Sequence, residues 1–287
     1  MHVGVGEPRG KSAEACLATS LRCKRNGMAE ETFSEQATRA AYGWGRSQSW
    51  QDAVDLLESA ADAGEPDAER QLELVSQAPL EQLLTPPQME RLSSISQIGA
   101  VRGFAPPGFS KWLIDRAADR LVAASVNSGG AKAVRTARDF GFGPRQRDVL
   151  AIMQERAARL LRIPVEKHEP PNVISYEPGQ EFSLHTDYVD PQVPAFRAEL
   201  EHMGQRIATI VTYLNEDFEG AETFFPDAGV KFRGGTGDAI AFLNVRQDGT
   251  PDYNTRHAGL PPTSGRKWVL SQWVRSKQFL YRPEDLR

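Results

Sequence analysis

From Trp50 onward the apolar positions recur at helical spacing. Trp50, Ala53, Val54, Leu57 and Ala61 share one stripe, as a helix with a single buried face requires. Gly64 follows as a stop signal, because glycine enters the left-handed conformation that closes a helix without a Cβ clash. Pro66 suits the first turn of a second helix, where its missing N–H is not needed, and PDAERQLELVSQ turns Ala68, Leu72 and Val75 to one side. The pattern predicts a helical hairpin over residues 46–78. Ahead of it, residues 1–45 show no sustained apolar period and are expected to be weakly structured. Beyond it, helices are expected around Gln88 to Gln97, Lys111 to Ala124 and Pro144 to Leu161. The last carries Val149, Ile152, Met153, Ala157 and Leu160 at core spacing.

After Pro171 the period shortens to that of strands. PNVISYEPGQEFSLHTDYVD reads as a strand, a Pro178-Gly179 turn and a second strand, since Pro-Gly punctuates extended runs. Between Gly237 and Arg275, GDAIAFLNV is a strand, QDGTPDYN a turn-rich loop and RKWVLSQWV a strand. Helices followed by many strands indicate an α+β chain.

The chemistry sits on those strands. In extended backbone, side chains at i and i+2 share a face, so His185 and Asp187 can grip one ion while Thr186 turns away. His257, seventy positions after Asp187, must arrive from another strand. Two imidazoles and a carboxylate fill one face of an octahedral ion and leave positions open, the donor set of non-haem Fe(II) oxygenases. A lone His-x-Asp is weak evidence. Lys267 strengthens it: the residue lies inside an apolar strand, and lysine is almost never fully buried unless paired. Of the other histidines, His2 is terminal, and His168 and His202 are not followed two residues on by a carboxylate. These ligands alone would also suit a zinc hydrolase, but that reading leaves Lys267 and Tyr176 unexplained.

Four segments in order, SYEPGQEFSLHTDY, RIATIVTYLNEDFEGAETFFP, GDAIAF and RHAGLPPTSGRKWVLSQWV, resemble the 2-oxoglutarate- and Fe(II)-dependent prolyl 4-hydroxylases over about residues 134–277. The resemblance implies a double-stranded β-helix core (a jelly roll, cupin-like) with packed helices, the whole occupying residues 79–287. It implies that His185, Asp187 and His257 hold Fe(II), and that Lys267 pairs with the distal carboxylate of 2-oxoglutarate. Tyr176, Tyr213 and Trp273 match co-substrate-pocket positions, and Arg206 a position that touches peptide in some members. Fe(II), 2-oxoglutarate and O2 are the implied cofactor and co-substrates, with ascorbate as a further one. An intact Asp187 disfavours halide transfer, for which relatives have a small residue there. The expected substrate is a prolyl residue of a peptide or protein. The same scaffold also serves small molecules and free amino acids, for which Arg206 or Arg233 would supply a second clamp. The loop from Val189 to Gln205, which leaves the site after Asp187 and contains His202, is expected to act as a substrate lid. Separately, LLESAADAGEPDAERQLELV is similar to a Sel1-like or tetratricopeptide-type helix pair. Such repeats need about three copies to form a stable stack and only one is present, so the hairpin is expected to pack on the catalytic domain. A non-catalytic module using the hairpin as its interface is the reading from another class.

Composition narrows the setting. The net charge of −4 gives no broad pull on nucleic acid. No run of eighteen apolar residues suggests a membrane span. Cys16 and Cys23 are the two cysteines, too few for a disulfide framework, and a reducing cytoplasm is the expected location. The first forty residues lack the apolar stretch of a secretory signal, and Met28 is an alternative start.

Overall fold

In the computed structural model, residues 31–124, 135–143 and 148–279 are described. Cys16, Cys23 and Met28 therefore lie outside the described residues. The predicted hairpin is present as Trp50–Asp62 and Ala68–Val75. The Ser49 hydroxyl accepts the Asp52 N–H at 3.2 Å and caps the first helix, satisfying one of its orphan donors. Gly64 ends that helix at φ +68°. Its inward face is Ala53, Leu57 and Ala60. Pro66 stays in the connecting turn, and the second helix opens after Asp67 at φ +67°. There the Asp67 carboxylate accepts the Trp112 indole N–H at 2.8 Å.

The weak structure expected up to residue 45 does not extend to Phe33–Tyr42, which is helical. Its buried stripe is Ala37, Thr38, Ala40 and Ala41. Small side chains raise little hydrophobic periodicity but allow close approach to the hairpin. The helix start is capped from outside: Glu65, in the hairpin turn, accepts Phe33 N at 2.8 Å, Ser34 N at 3.0 Å and Ser34 Oγ at 2.6 Å. A carboxylate there meets both the free N–H groups and the positive end of the helix.

The helix expected over Gln88 to Gln97 is absent. A short helix, Leu80–Leu84, precedes Pro86, and strands Glu90–Arg91 and Ile98–Val101 follow. Between the strands the Ser93 hydroxyl accepts Ile95 N and Ser96 N at 3.2 Å each, one way serine diverts backbone from a helix. The next helix spans Phe109–Ala117 rather than reaching Ala124, because Val122–Ala123 pairs with Arg138–Gly141. The long helix is Asp148–Leu161, and residues 144–147 lie outside the described set.

Two antiparallel sheets form the core that the resemblance implies. The larger runs in the order Glu90–Arg91, Ile98–Val101, Ala239–Leu243, Arg206–Tyr213, Lys267–Arg275, Asn172–Tyr176, Arg138–Gly141, Val122–Ala123. The smaller orders Val230–Phe232, Thr223–Phe225, His257–Gly259, Phe182–His185. One face of the large sheet, with Val173, Ile210 and Leu270, meets Trp112, Leu113 and Leu150 of the helices. The other face, with Ile174, Tyr176 and Val269, meets Phe182 and Phe225 of the small sheet. Covered on both faces, Lys267–Arg275 is buried throughout, which is why Trp268, Val269 and Leu270 follow one another without the alternation of a half-exposed strand. The two sheets make a double-stranded β-helix, open at the end where the metal-capable residues gather.

Candidate active site

His185 ends one strand of the small sheet, and His257 begins the strand beside it, directly opposite in register. Asp187 lies just past the strand end, two residues on. One donor atom from each of the three lies within 4.8 Å of the others, and all three residues are buried. His185 Nε2 is 3.6 Å from Asp187 Oδ1, and His257 Nε2 is 3.9 Å from Asp187 Oδ2.

Both rings are fixed from behind. His185 Nδ1 lies 2.8 Å from the Ser183 carbonyl and His257 Nδ1 lies 3.0 Å from that of Thr255. A carbonyl only accepts, so each Nδ1 carries the proton and each Nε2 keeps its lone pair toward the cluster. Phe182 stacks on His185 at 3.5 Å between centroids, and Phe242 meets His257 edge-on at 4.7 Å. Asp187 is oriented by a relay: Thr209 Oγ1 donates to its Oδ2 at 2.7 Å and accepts Asn244 Nδ2 at 3.0 Å. Burial pushes the Asp187 carboxyl up, but the neighbouring His185 and His257 rings and the charge of Arg206 outweigh it and hold the group well below the usual carboxylate range. Burial, with His185 nearby, pulls His257 down to about 4 against the opposing effect of Asp187. A carboxylate and a deprotonated imidazole are what a divalent ion needs without competition from protons. The residues present fit Fe(II).

Lys267 enters the same pocket. It is 2% exposed. Its ammonium donates to the Ala221 carbonyl at 2.6 Å and lies 3.5 Å from the Tyr213 hydroxyl, 4.7 Å above the Tyr213 ring and 5.7 Å above that of Tyr176. Among the described residues no carboxylate lies at ion-pair distance. Burial lowers its pKa to about 7, with Glu222 opposing. A buried cation facing a pocket calls for an anionic ligand.

The other expected residues divide. Tyr176 and Trp273 line the pocket, and the Trp273 indole N–H has no hydrogen-bond partner. Tyr213 lies behind Lys267. Its hydroxyl donates to the Phe232 carbonyl at 2.8 Å and meets Thr223 Oγ1 at 2.9 Å and Thr223 N at 3.1 Å. Arg206 stands outside the pocket wall with its guanidinium 4.4 Å over the Trp273 ring, holding Glu169 at 2.7 and 3.0 Å. Arg233 is turned to the Glu216 and Phe218 carbonyls. His202 is exposed on the Val189 to Gln205 loop, and His168 is buried beside Val274.

Thr209, Asn244, Glu169 and Arg135 do not announce themselves in the sequence. Arg135 lines the pocket. Its guanidinium sits 5.1 Å over Phe182 and 3.6 Å from Asp139, with Nε and one terminal nitrogen unpartnered. Single polar residues outside a repeating pattern carry no periodic signal. Only the neighbours that folding supplies reveal them.

Comparison with known proteins agrees with this geometry. Residues 171–275 match the model of the 2OG-Fe(II) oxygenase superfamily. The chain is 33% identical to prolyl 4-hydroxylase 1 of Arabidopsis thaliana over 142 residues, 45% of this chain and 48% of that protein. It is 26% identical to prolyl 4-hydroxylase 2 of the same plant over 223 residues, 69% of this chain and 73% of that protein. Curated relatives are matched over between 48% and 74% of their own length. The crystal structure of the viral collagen prolyl hydroxylase of Paramecium Bursaria Chlorella virus-1, in complex with 2OG, is similar with a TM-score of 0.50 and 26% identity, covering 63% of this chain and 96% of that one.

Proposed function

Because the chain belongs to the 2OG-Fe(II) oxygenase superfamily, we propose that it hydroxylates prolyl residues of a peptide or protein, with 2-oxoglutarate as co-substrate. The observation that carries this is one pocket holding both the His185, Asp187, His257 cluster and a buried Lys267 without a carboxylate partner. The cluster would hold Fe(II), which with 2-oxoglutarate and O2 supplies the oxidising power to hydroxylate an unactivated C–H bond while the co-substrate becomes succinate and carbon dioxide. The protein's part is positioning. The Ser183 and Thr255 carbonyls aim the imidazoles, and the Thr209 hydroxyl turns Asp187 toward the cluster. Lys267 receives the distal carboxylate, and Tyr176 and Trp273 shape the slot and keep water out. Prolyl hydroxylation is supported by the relatives, which bear that name, and by the 2OG-bound neighbour. The clamp needed for a free amino acid is not offered by Arg206 or Arg233, which are both engaged elsewhere. Ascorbate as reductant and a cytoplasmic setting belong to the same proposal.

The test is 2-oxoglutarate-dependent succinate formation by anaerobically Fe(II)-loaded protein, with proline-rich peptides added in turn. Succinate that is lost in His257→Ala and rises with a peptide is the expected result. Succinate that ignores every peptide moves the substrate to small molecules, and none at all sinks the enzymatic reading.

A further inference from the structure

The segment that leaves the site after Asp187 is fastened at both ends. The Gln205 side-chain amide accepts Val189 N at 2.7 Å and donates to Val189 O at 2.8 Å, so positions 189 and 205 are held as if on neighbouring strands. The helix within the segment, Arg197–Met203, is held by a second anchor: Arg275 donates to Glu199 Oε1 at 2.5 Å and to the Gly204 carbonyl at 2.8 Å. Lys277 adds a bond to the Glu201 carbonyl at 2.7 Å.

Arg275 has a third partner. Its Nε donates to Glu169 Oε1 at 2.5 Å, the oxygen that also accepts Arg206 Nε at 2.7 Å. Arg206 in turn lies over Trp273 in the pocket wall. Glu199, Arg275, Glu169 and Arg206 thus alternate in charge along one line from the segment to the pocket. Arg275 is 1% exposed, Arg206 7% and Glu169 8%. Two cations alternate with two anions along this line, and Asp187 adds a further negative charge near Arg206, in a site where an uncompensated charge is strongly penalised. Losing Glu199 leaves Arg275 to draw on Glu169, the carboxylate it shares with Arg206.

We propose that Arg275 is a positioning residue that makes the seating of the Val189 to Gln205 segment and the placement of Arg206 on Trp273 one event. When the segment lifts, Arg275 loses a carboxylate and a carbonyl, draws more strongly on Glu169, and loosens the hold on Arg206. The pocket wall then responds to a peptide bearing on the segment. That consequence rests on the oxygenase reading above, whereas the coupling itself does not.

The coupling is tested in metal-free full-length protein with [15N]arginine, comparing wild type with Glu199→Gln and, as a second variant, Arg275→Lys. Amide exchange over residues 197–203 should rise about tenfold, and the Arg206 Nε–H resonance should shift although residue 206 is untouched. Faster exchange with an unmoved Arg206 signal would reduce Arg275 to an anchor and overturn the proposal, as would no change in either. In turnover, Glu199→Gln should raise the KM for peptide about fivefold. If the wild type consumes no 2-oxoglutarate, the oxygenase reading fails and the resonance result still stands.

Discussion

At Lys267 an ammonium group is enclosed by Tyr176, Tyr213 and the Ala221 carbonyl, and burial lowers its pKa to about 7. The free-lysine value of 10.5 serves for the unfolded chain. Below about pH 7 both states hold the proton, and the folded state carries the full cost of burying the charge. Between pH 7 and 10.5 the folded state releases its proton first, so this cost fades and stability rises with pH. The difference in pKa corresponds to a cost on the order of 5 kcal/mol. Lys267→Met should therefore make the metal-free protein more stable at pH 6.5, with the advantage falling by roughly half at pH 9, while abolishing response to 2-oxoglutarate. Urea unfolding of both proteins at the two pH values checks this. A variant less stable than wild type at pH 6.5 would show that Lys267 is held by favourable contacts and is no stored cost. The sequence disclosed Lys267 as an oddity, a cation in an apolar strand. Its contacts, the Ala221 carbonyl and the Tyr213 hydroxyl, became visible only when the fold brought them beside it.

Among the elements, the Asp148–Leu161 helix shows where periodicity succeeds and what it omits. Val149, Ile152, Met153 and Ala157 are buried as their spacing predicts. On the same helix Arg156 is 4% exposed and donates to the carbonyls of Leu83 at 2.5 Å, Phe104 at 2.7 Å and Thr85 at 2.7 Å. Burial lowers its pKa to about 10, and its acceptors are peptide carbonyls, so it works as a staple between this helix and two loops. Arg156→Met should cost about 3 kcal/mol, because buried acceptors left unpaired cost about 1–3 kcal/mol each and some regain water. Denaturant unfolding measures it, and a loss below 1 kcal/mol would mean the loops are held by packing alone. No pattern marks such a residue, since an arginine at a helical position reads as solvent-facing. The same limit applies where the elements depart from the apolar pattern. Phe33–Tyr42 buries alanines, which barely register as apolar, and takes its cap from Glu65, thirty-one residues past Ser34. Residues 88–97 carry apolar side chains at helical intervals, but the Ser93 hydroxyl and the pairing of Ile98–Val101 with Ala239–Leu243 decide the backbone there. Strands near the ligands were legible because Pro178-Gly179 and the apolar run of Lys267–Arg275 are local signals.

For the molecule as a whole, the question is whether the N-terminal helices form a module or part of the core. The described residues from Phe33 onward make one compact unit, and the contacts across the supposed boundary are specific. Leu57 and Val75 belong to the same buried cluster as Trp112, Leu150 and Leu270. Asp67 receives the Trp112 indole, Gln71 Oε1 accepts Val149 N at 3.3 Å, Tyr42 Oη donates to Gln154 Oε1 at 2.5 Å, and Arg70 pairs with Asp115 at 2.7 Å. Gln154 continues inward to Gln272, on the strand that carries Lys267. Removing residues up to 78 would uncover the apolar face of two helices and leave the Gln154 side-chain oxygen and the Trp112 indole without the partners they have in Tyr42 and Asp67, both losses of the kind that unfold marginal domains. A chain starting at residue 79 should therefore lose cooperative unfolding and bind a hydrophobic dye, and its Fe(II)-loaded form should consume no 2-oxoglutarate. If it instead unfolds cooperatively at a urea midpoint near that of the full chain, the helices are an appended module. Their surface would then be free to serve a partner, a role the present packing makes secondary to holding the wall behind the active site.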